Sequence, residues 1–250
     1  MSRATAAGCY RGLGFRDLSL DLQSLDLEMV RPFLDTLPLV GRISGPLAVT
    51  GFFDAMTVNA DWLFEDARVP DGGNNRLAIE GDLALGGPEG MVFAQTRIPH
   101  ADLDLRTIRL VTPAVALDGR LRLAGSLDGP WQNVTYQGRV EHEDGTKPRS
   151  VLGGRARLDT RTATLGLDAD LTVDTLAFDG IRGSFPTLTL QGTVAGTLKM
   201  SGYLDSLWVE GGLAGQIGNY RFIGRTSLEP PRLGADSLRV SFERANLAML

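Results

Sequence analysis

From Leu188 to Leu204 apolar and polar residues alternate without a break. Leu188, Leu190, Gly192, Val194, Gly196, Leu198, Met200, Gly202 and Leu204 fall on one parity, and Thr189, Gln191, Thr193, Ala195, Thr197, Lys199, Ser201 and Tyr203 on the other. Successive side chains of a strand point to opposite faces, so this period of two predicts a long strand with one face apolar or glycine throughout. The same sorting recurs at Leu39, Gly41, Ile43, Gly45, Leu47, Val49, Gly51 and Phe53, and at Val115, Leu117, Gly119, Leu121, Leu123, Gly125 and Leu127. Shorter runs (Leu18, Leu20, Leu22; Leu77, Ile79; Leu83, Leu85; Leu165, Leu167; Leu171, Val173) alternate with turn clusters such as Pro70-Asp71-Gly72-Gly73 and Gly86-Gly87-Pro88-Glu89-Gly90. The expectation is strand, turn, strand throughout. Only Leu27 to Leu34 can form a short helical turn, which Pro32 limits.

Three of these strands superimpose residue by residue. Gly45-Pro46-Leu47-Ala48-Val49-Thr50-Gly51-Phe52-Phe53-Asp54 aligns with Gly119 to Asp128 and with Gly196 to Asp205 on the pattern G-x-L-x-Φ-x-G-x-Φ-D, where Φ is a large apolar residue. The first glycines stand 74 and 77 residues apart, so a module of about 75 residues recurs. Its copies are placed at about 17–93, 94–171 and 172–237, and 238–250 reads as the opening of a fourth, so the chain is expected to be a fragment of a longer array. After each aspartate the apolar parity slips, from Phe53 to Met56 and Val58 and from Leu204 to Leu207 and Val209. This predicts a turn or bulge at Asp54-Ala55 and at Asp205-Ser206. The copy ending in Asp128-Gly129-Pro130 is expected to have a longer turn before Val134 and Tyr136. Glycine on an apolar face contributes no side chain to a core. Its repetition suggests a bend in the sheet or a need for clear space above the backbone, and both imply a curved sheet.

Composition narrows the function more by exclusion than by signal. The chain has 250 residues, 43% of them hydrophobic, enough for a sizeable core. A net charge of −5, with 25 basic and 30 acidic residues scattered along it, offers nucleic acid no basic patch. One cysteine, Cys9, excludes an internal disulfide framework, and no eighteen apolar residues run together. Nucleotide-binding, hydrolase and metalloprotease motifs are absent. His100 lies in Arg97-Ile98-Pro99-His100, and His142, in Glu141-His142-Glu143-Asp144-Gly145, reads as part of a solvated turn rather than a metal cluster. Trp131 and Trp208 follow the module turns, where packing explains them as well as ligand stacking does. No enzyme, cofactor or metal is indicated.

A single sheet with one continuous apolar face must cover it by closing into a barrel, by packing on a second sheet, or by curling into a groove that shelters something apolar. Repetition favours the groove, because added modules lengthen it indefinitely. The fold expected is therefore all-β, an elongated repetitive antiparallel sheet curled into a U-shaped apolar groove with little or no helix. A groove of leucine, valine and methionine suits acyl chains. Its lining is expected to include Leu47, Val49, Leu121, Leu123, Leu198 and Met200, with Gly45, Gly51, Gly119, Gly125, Gly196 and Gly202 shaping its curvature. The runner-up is a structural or adhesive β-repeat protein that buries the same face completely. An outer-membrane barrel, which should show aromatic girdles and spans of about ten residues, ranks third, because aromatics are only 7% and glycine recurs on the apolar face.

Leu25-Asp26-Leu27-Glu28-Met29-Val30-Arg31-Pro32-Phe33-Leu34, followed by Leu37-Pro38-Leu39-Val40-Gly41-Arg42-Ile43-Ser44-Gly45-Pro46-Leu47-Ala48-Val49-Thr50-Gly51, resembles the recurring "LDL…pFLP…LPLxGxLSGxLxLxG" module of bacterial TamB-type translocation and assembly proteins of the AsmA-like superfamily. Through its three copies the resemblance covers essentially the whole chain, as a pattern of small and apolar residues. It implies a β-groove in the periplasm, anchored in the inner membrane through a region absent from this chain. Such a groove carries phospholipid toward the outer membrane or assists outer-membrane protein assembly. The implied partners are phospholipid acyl chains and an outer-membrane barrel assembly protein.

Overall fold

A computed structural model describes residues 14–29, 39–71, 73–87, 89–111, 117–183, 188–216, 218–228 and 234–243. Cys9 lies outside them. The fold is all-β. Its strands are β1 (Gly14–Asp26), β2 (Gly41–Phe52), β3 (Ala55–Asp66), β4 (Gly73–Gly87), β5 (Gly90–Asp104), β6 (Arg120–Pro130) and β7 (Asn133–Glu143), then β8 (Ser150–Asp159), β9 (Gly166–Ala177), β10 (Thr193–Tyr203), β11 (Ser206–Gly215), β12 (Gly218–Ser227), β13 (Gly234–Ala235) and β14 (Arg239–Glu243). They join in chain order into one sheet that runs from β1 to β13 without closing into a barrel, and β14 pairs beside β12. Among the described residues helix is confined to a 3-10 turn at Leu27–Met29, α1 (Leu105–Val111) and α2 (Phe178–Ile181). The last two depart from the expectation of a single helical turn. Each of the three follows the end of a strand, β1, β5 or β9, and the next strand begins a copy of the motif. Four strands thus separate successive helical turns, at the spacing of the sequence repeat.

The two-residue hairpin explains the parity slip. Phe52 pairs with Ala55 across Phe53-Asp54, and Tyr203 with Ser206 across Leu204-Asp205. Odd positions on β2 therefore face even positions on β3, as in Val49↔Val58, Leu47↔Ala60 and Gly51↔Met56, and the apolar set stays on one side. The middle copy differs from its expectation. β6 continues through Asp128-Gly129-Pro130, and the turn is the two residues Trp131-Gln132.

The chain packs as two compact units. In the first, β1 to β5 carry a cluster of Leu18, Val49, Met56, Val58, Ala60 and Leu83, on which Phe15, Leu20, Leu47, Phe53, Trp62 and Ile79 pack. Each fully buried Val or Met contributes about 1.5–3 kcal/mol. The opposite face is polar: Glu80 and Arg97 stand directly across from each other and pair at 2.7 Å, and the Thr57 hydroxyl donates to Asp82 at 2.6 Å. In the second unit, β9, α2, β10 and β11 carry Val173, Phe178, Val194 and Leu213, with Leu152, Leu198, Tyr220 and Phe222 packed against them. Its other face sets Arg155, Asp170, Lys199 and Glu210 side by side across four strands, which are favourable opposite-charge neighbours.

The motif glycines have a more specific reason than the two expected. The first glycine of each copy, Gly45, Gly119 and Gly196, has φ of +125°, +96° and +151°, a strand conformation that L side chains rarely adopt. A Cβ there would lie 2.1, 2.1 and 2.0 Å from the carbonyl oxygens of Asp61, Glu143 and Gly212. The clash lies toward the neighbouring strand, not above the backbone. Gly51 and Gly202 share the positive φ, while Gly125 is half-buried within β6.

A second glycine device recurs at the other strand ends. Phe52 and Tyr203, each just before a motif hairpin turn, and Trp131, the first residue of the middle turn, lie against Gly14, Gly166 and Gly90 at the starts of β1, β9 and β5. An aromatic ring laid on a facing glycine restores the contact that the missing side chain forfeits.

Gly196→Ala is therefore expected to lose about 2–4 kcal/mol in urea unfolding, whereas Gly212→Ala, whose new Cβ would meet nothing nearer than Arg221 at 3.8 Å, should lose less than about 1 kcal/mol.

Candidate functional site

The candidate site is the apolar face of each unit. On the first, residues of successive strands line up in rows: Leu20, Leu47, Ala60 and Ile79; Leu18, Val49, Val58 and Gly81; Gly51, Met56 and Leu83. Of the residues expected here, Val49 is buried at 7% exposure and Leu47 is half-buried beside it. On the second unit the rows are Leu152, Val173, Gly196, Leu213 and Tyr220; Gly154, Leu171, Leu198, Gly211 and Phe222; and Ala156, Ala169, Met200, Val209 and Gly224. Leu198 and Met200 are both half-buried there, as are Leu121 and Leu123 on β6, where the burial of the two faces does not alternate. Trp62, Ile79, Tyr220 and Phe222 belong to these faces too. Trp62 was legible by carrying the slipped parity beyond Val58, to Ala60, Trp62 and Phe64.

Cover on the face is uneven. Around the buried set, Leu20, Leu47, Trp62 and Ile79 remain half-exposed. At β14, Val240 and Phe242 sit opposite Phe222 and Tyr220 on the same face and are 40% and 51% exposed. Phe222, Tyr220 and Phe242 form a chain of tilted rings with centroids 6.4 and 6.0 Å apart.

Polar residues close the strand ends. Asp66, Asp104 and Asp159 each end a strand and each precede an arginine by two residues. In all three the carboxylate accepts the backbone N–H of that arginine and the guanidinium closes back on it. Such an Asx turn ends the ladder while satisfying the freed donor. Asp26 does the same at the end of β1 with the N–H of Glu28. In the first unit these ends are buried: Asp66 has no exposure, and Asn75 donates to Gly73 O and to the Thr107 hydroxyl while accepting the N–H of Asp104. Ser150 plays the equivalent part in the second unit, accepting the N–H of Ala177 where β9 gives way to α2.

Burial pushes the Asp66 carboxyl up. Hydrogen bonds from the Arg68 side chain and backbone, the Arg68 charge and the Thr107 hydroxyl outweigh it and leave the group below the ordinary carboxylate range. Asp159, hydrogen-bonded by Arg161, is drawn down to about 2.

His142 corrects its expectation. It lies in β7 at 4% exposure, not in a solvated turn, with Nε2 2.7 Å from the Asp118 carbonyl and Nδ1 unpartnered near Gly180 of α2. Its period-two place in β7 sets it on a covered face, which the acidic neighbours concealed. His100 Nε2 lies 3.5 Å from Asp61, which Arg76 engages through two hydrogen bonds. Among the described residues no group of three or more histidine, cysteine, aspartate or glutamate side chains could hold a metal.

These features define an open, repeat-built antiparallel sheet with a partly covered apolar face. The chain matches no protein-family model, no curated protein and no solved structure.

A carboxyl held below its ordinary value stabilises the fold above that value and ceases to do so as pH falls through the folded one. Asp66→Asn should lose about 2–3 kcal/mol at pH 7 in urea unfolding, with the gap to the wild type narrowing as both approach pH 2. Asp159→Asn, whose pair is solvent-exposed, should change much less.

Proposed function

We propose that the apolar face binds the acyl chains of phospholipid, as a segment of a bridge-like protein that carries lipid between two membranes. The observation that carries this reading is the incomplete cover of same-face residues. A structural or adhesive β-repeat protein would bury that face, whereas Leu20, Leu47, Trp62 and Ile79 stay half-exposed and Val240 and Phe242 largely so. Acyl chains need non-directional apolar contact and few polar groups, and leucine, valine, methionine and aromatic side chains supply it. The resemblance of the motif to TamB-type modules supplies the setting, a periplasm with an inner-membrane anchor beyond this chain, and the cargo class.

The reading is tested by extracting the purified protein with solvent and analysing the extract by mass spectrometry. Co-purified phospholipid is expected; its absence, together with no binding of a fluorescent apolar probe, would overturn the proposal. Leu123→Glu and Met200→Arg should each lower lipid binding at least about tenfold, because an unpaired charge on an apolar face must be desolvated by the ligand. Melting curves recorded alongside separate this effect from unfolding.

A further inference from the structure

On each apolar face a ring donor has no hydrogen-bond partner among the described residues. It is the indole Nε1–H of Trp62 in the first unit and the hydroxyl of Tyr220 in the second, both shut off from solvent. Neither residue is stranded in a core. Both are half-exposed and lie against the buried clusters of their faces, Trp62 beside Leu77 of β4 and Tyr220 opposite Leu213. Burial of the Tyr220 phenol is strong enough to push its pKa up to about 12, so it stays a neutral donor at any working pH.

A buried donor without an acceptor carries a desolvation cost that phenylalanine at the same place would avoid. Both rings sit where the face is incompletely covered. Gly45, across from Trp62 on β2, has no side chain, and Tyr220 neighbours the exposed Phe242. For either donor to meet a ligand, its ring must turn about the side-chain torsions.

We propose that Trp62 and Tyr220, each on the face of its own unit, donate to an ester carbonyl oxygen of the lipid bound there, so that each face selects acyl esters over plain hydrocarbon. The inference rests on the acyl-binding reading above. An ester carbonyl suits both donors because it accepts without carrying a charge that the apolar face would have to desolvate, and it is joined to the chain that the leucine and valine rows hold.

The test compares a long-chain fatty acid methyl ester with the n-alkane of matched length as competitors of a fluorescent apolar probe. The wild type should favour the ester. The Trp62→Phe, Tyr220→Phe double variant should lose about five- to tenfold of that preference with its alkane affinity unchanged. An undiminished ester preference in the folded variant overturns the donor proposal alone, whereas failure of both competitors in the wild type overturns the acyl-binding reading itself. Independently of any substitution, the Trp62 indole N–H resonance should move downfield on adding the ester and not on adding the alkane. An unmoved resonance at saturating ester overturns the role of Trp62.

Discussion

A pleated strand sends side chains to both faces, and the packing of each unit depends on its paired strands sending their apolar sets to the same one. Hairpins with two-residue loops achieve this by fixing which positions meet: Phe52 opposite Ala55 forces Val49 opposite Val58, and Tyr203 opposite Ser206 forces Met200 opposite Val209. A loop longer by one residue would place Met56 and Val58 among Thr50 and Ala48 on the charged side. If the apolar face is the binding surface, a slip in any hairpin interrupts it.

This constraint also explains which features were legible in the sequence. Parity within a strand is local, so the motif strands and the slip after each aspartate could be read directly. The two-residue hairpins fall one residue before the expected dipeptides, at Phe53-Asp54 and Leu204-Asp205. What joins one strand to the next at a distance could not be read. Gly45 needs to be glycine because of the Asp61 carbonyl on the neighbouring strand, a group that no pattern around Gly45 reveals. His142 looked solvated because its sequence neighbours are acidic, whereas its burial comes from Asp118 and α2, far away in the chain. The aspartate-x-arginine turns were visible in principle. Asp66-Ala67-Arg68, Asp104-Leu105-Arg106 and Asp159-Thr160-Arg161 form a recurring string, and the Asx turn gives it a physical meaning.

The repeat is also marked by devices outside the motif. Gly14, Gly90 and Gly166 are spaced 76 residues apart, and each lies under an aromatic residue at the turn of the following motif hairpin. Asn75 and Ser150, 75 residues apart, each accept the N–H at which a fourth strand turns into helix. Both devices act where a fourth strand meets the next copy, one at each end of the strand. The side chains differ between copies, asparagine against serine and phenylalanine against tryptophan and tyrosine. The bond or contact made is nevertheless the same, so the junction depends on chemistry and shape more than on residue identity.

A sheet that leaves part of its apolar face open forgoes some of the burial that would otherwise stabilise it, so other interactions must hold it. The structure places them away from the face. Backbone ladders run the length of every long strand, glycines allow carbonyls of adjacent strands to approach where a Cβ would block them, and buried aspartate–arginine turns finish the strands. None of these requires the half-exposed leucines, tryptophan or phenylalanines of the face to be covered. Stability and the open apolar surface are thereby separated along each strand, with fold-determining polar groups at the ends and apolar side chains between them. The contacts that the open face forgoes are not the ones that close the strand ends, so leaving it partly uncovered does not loosen them.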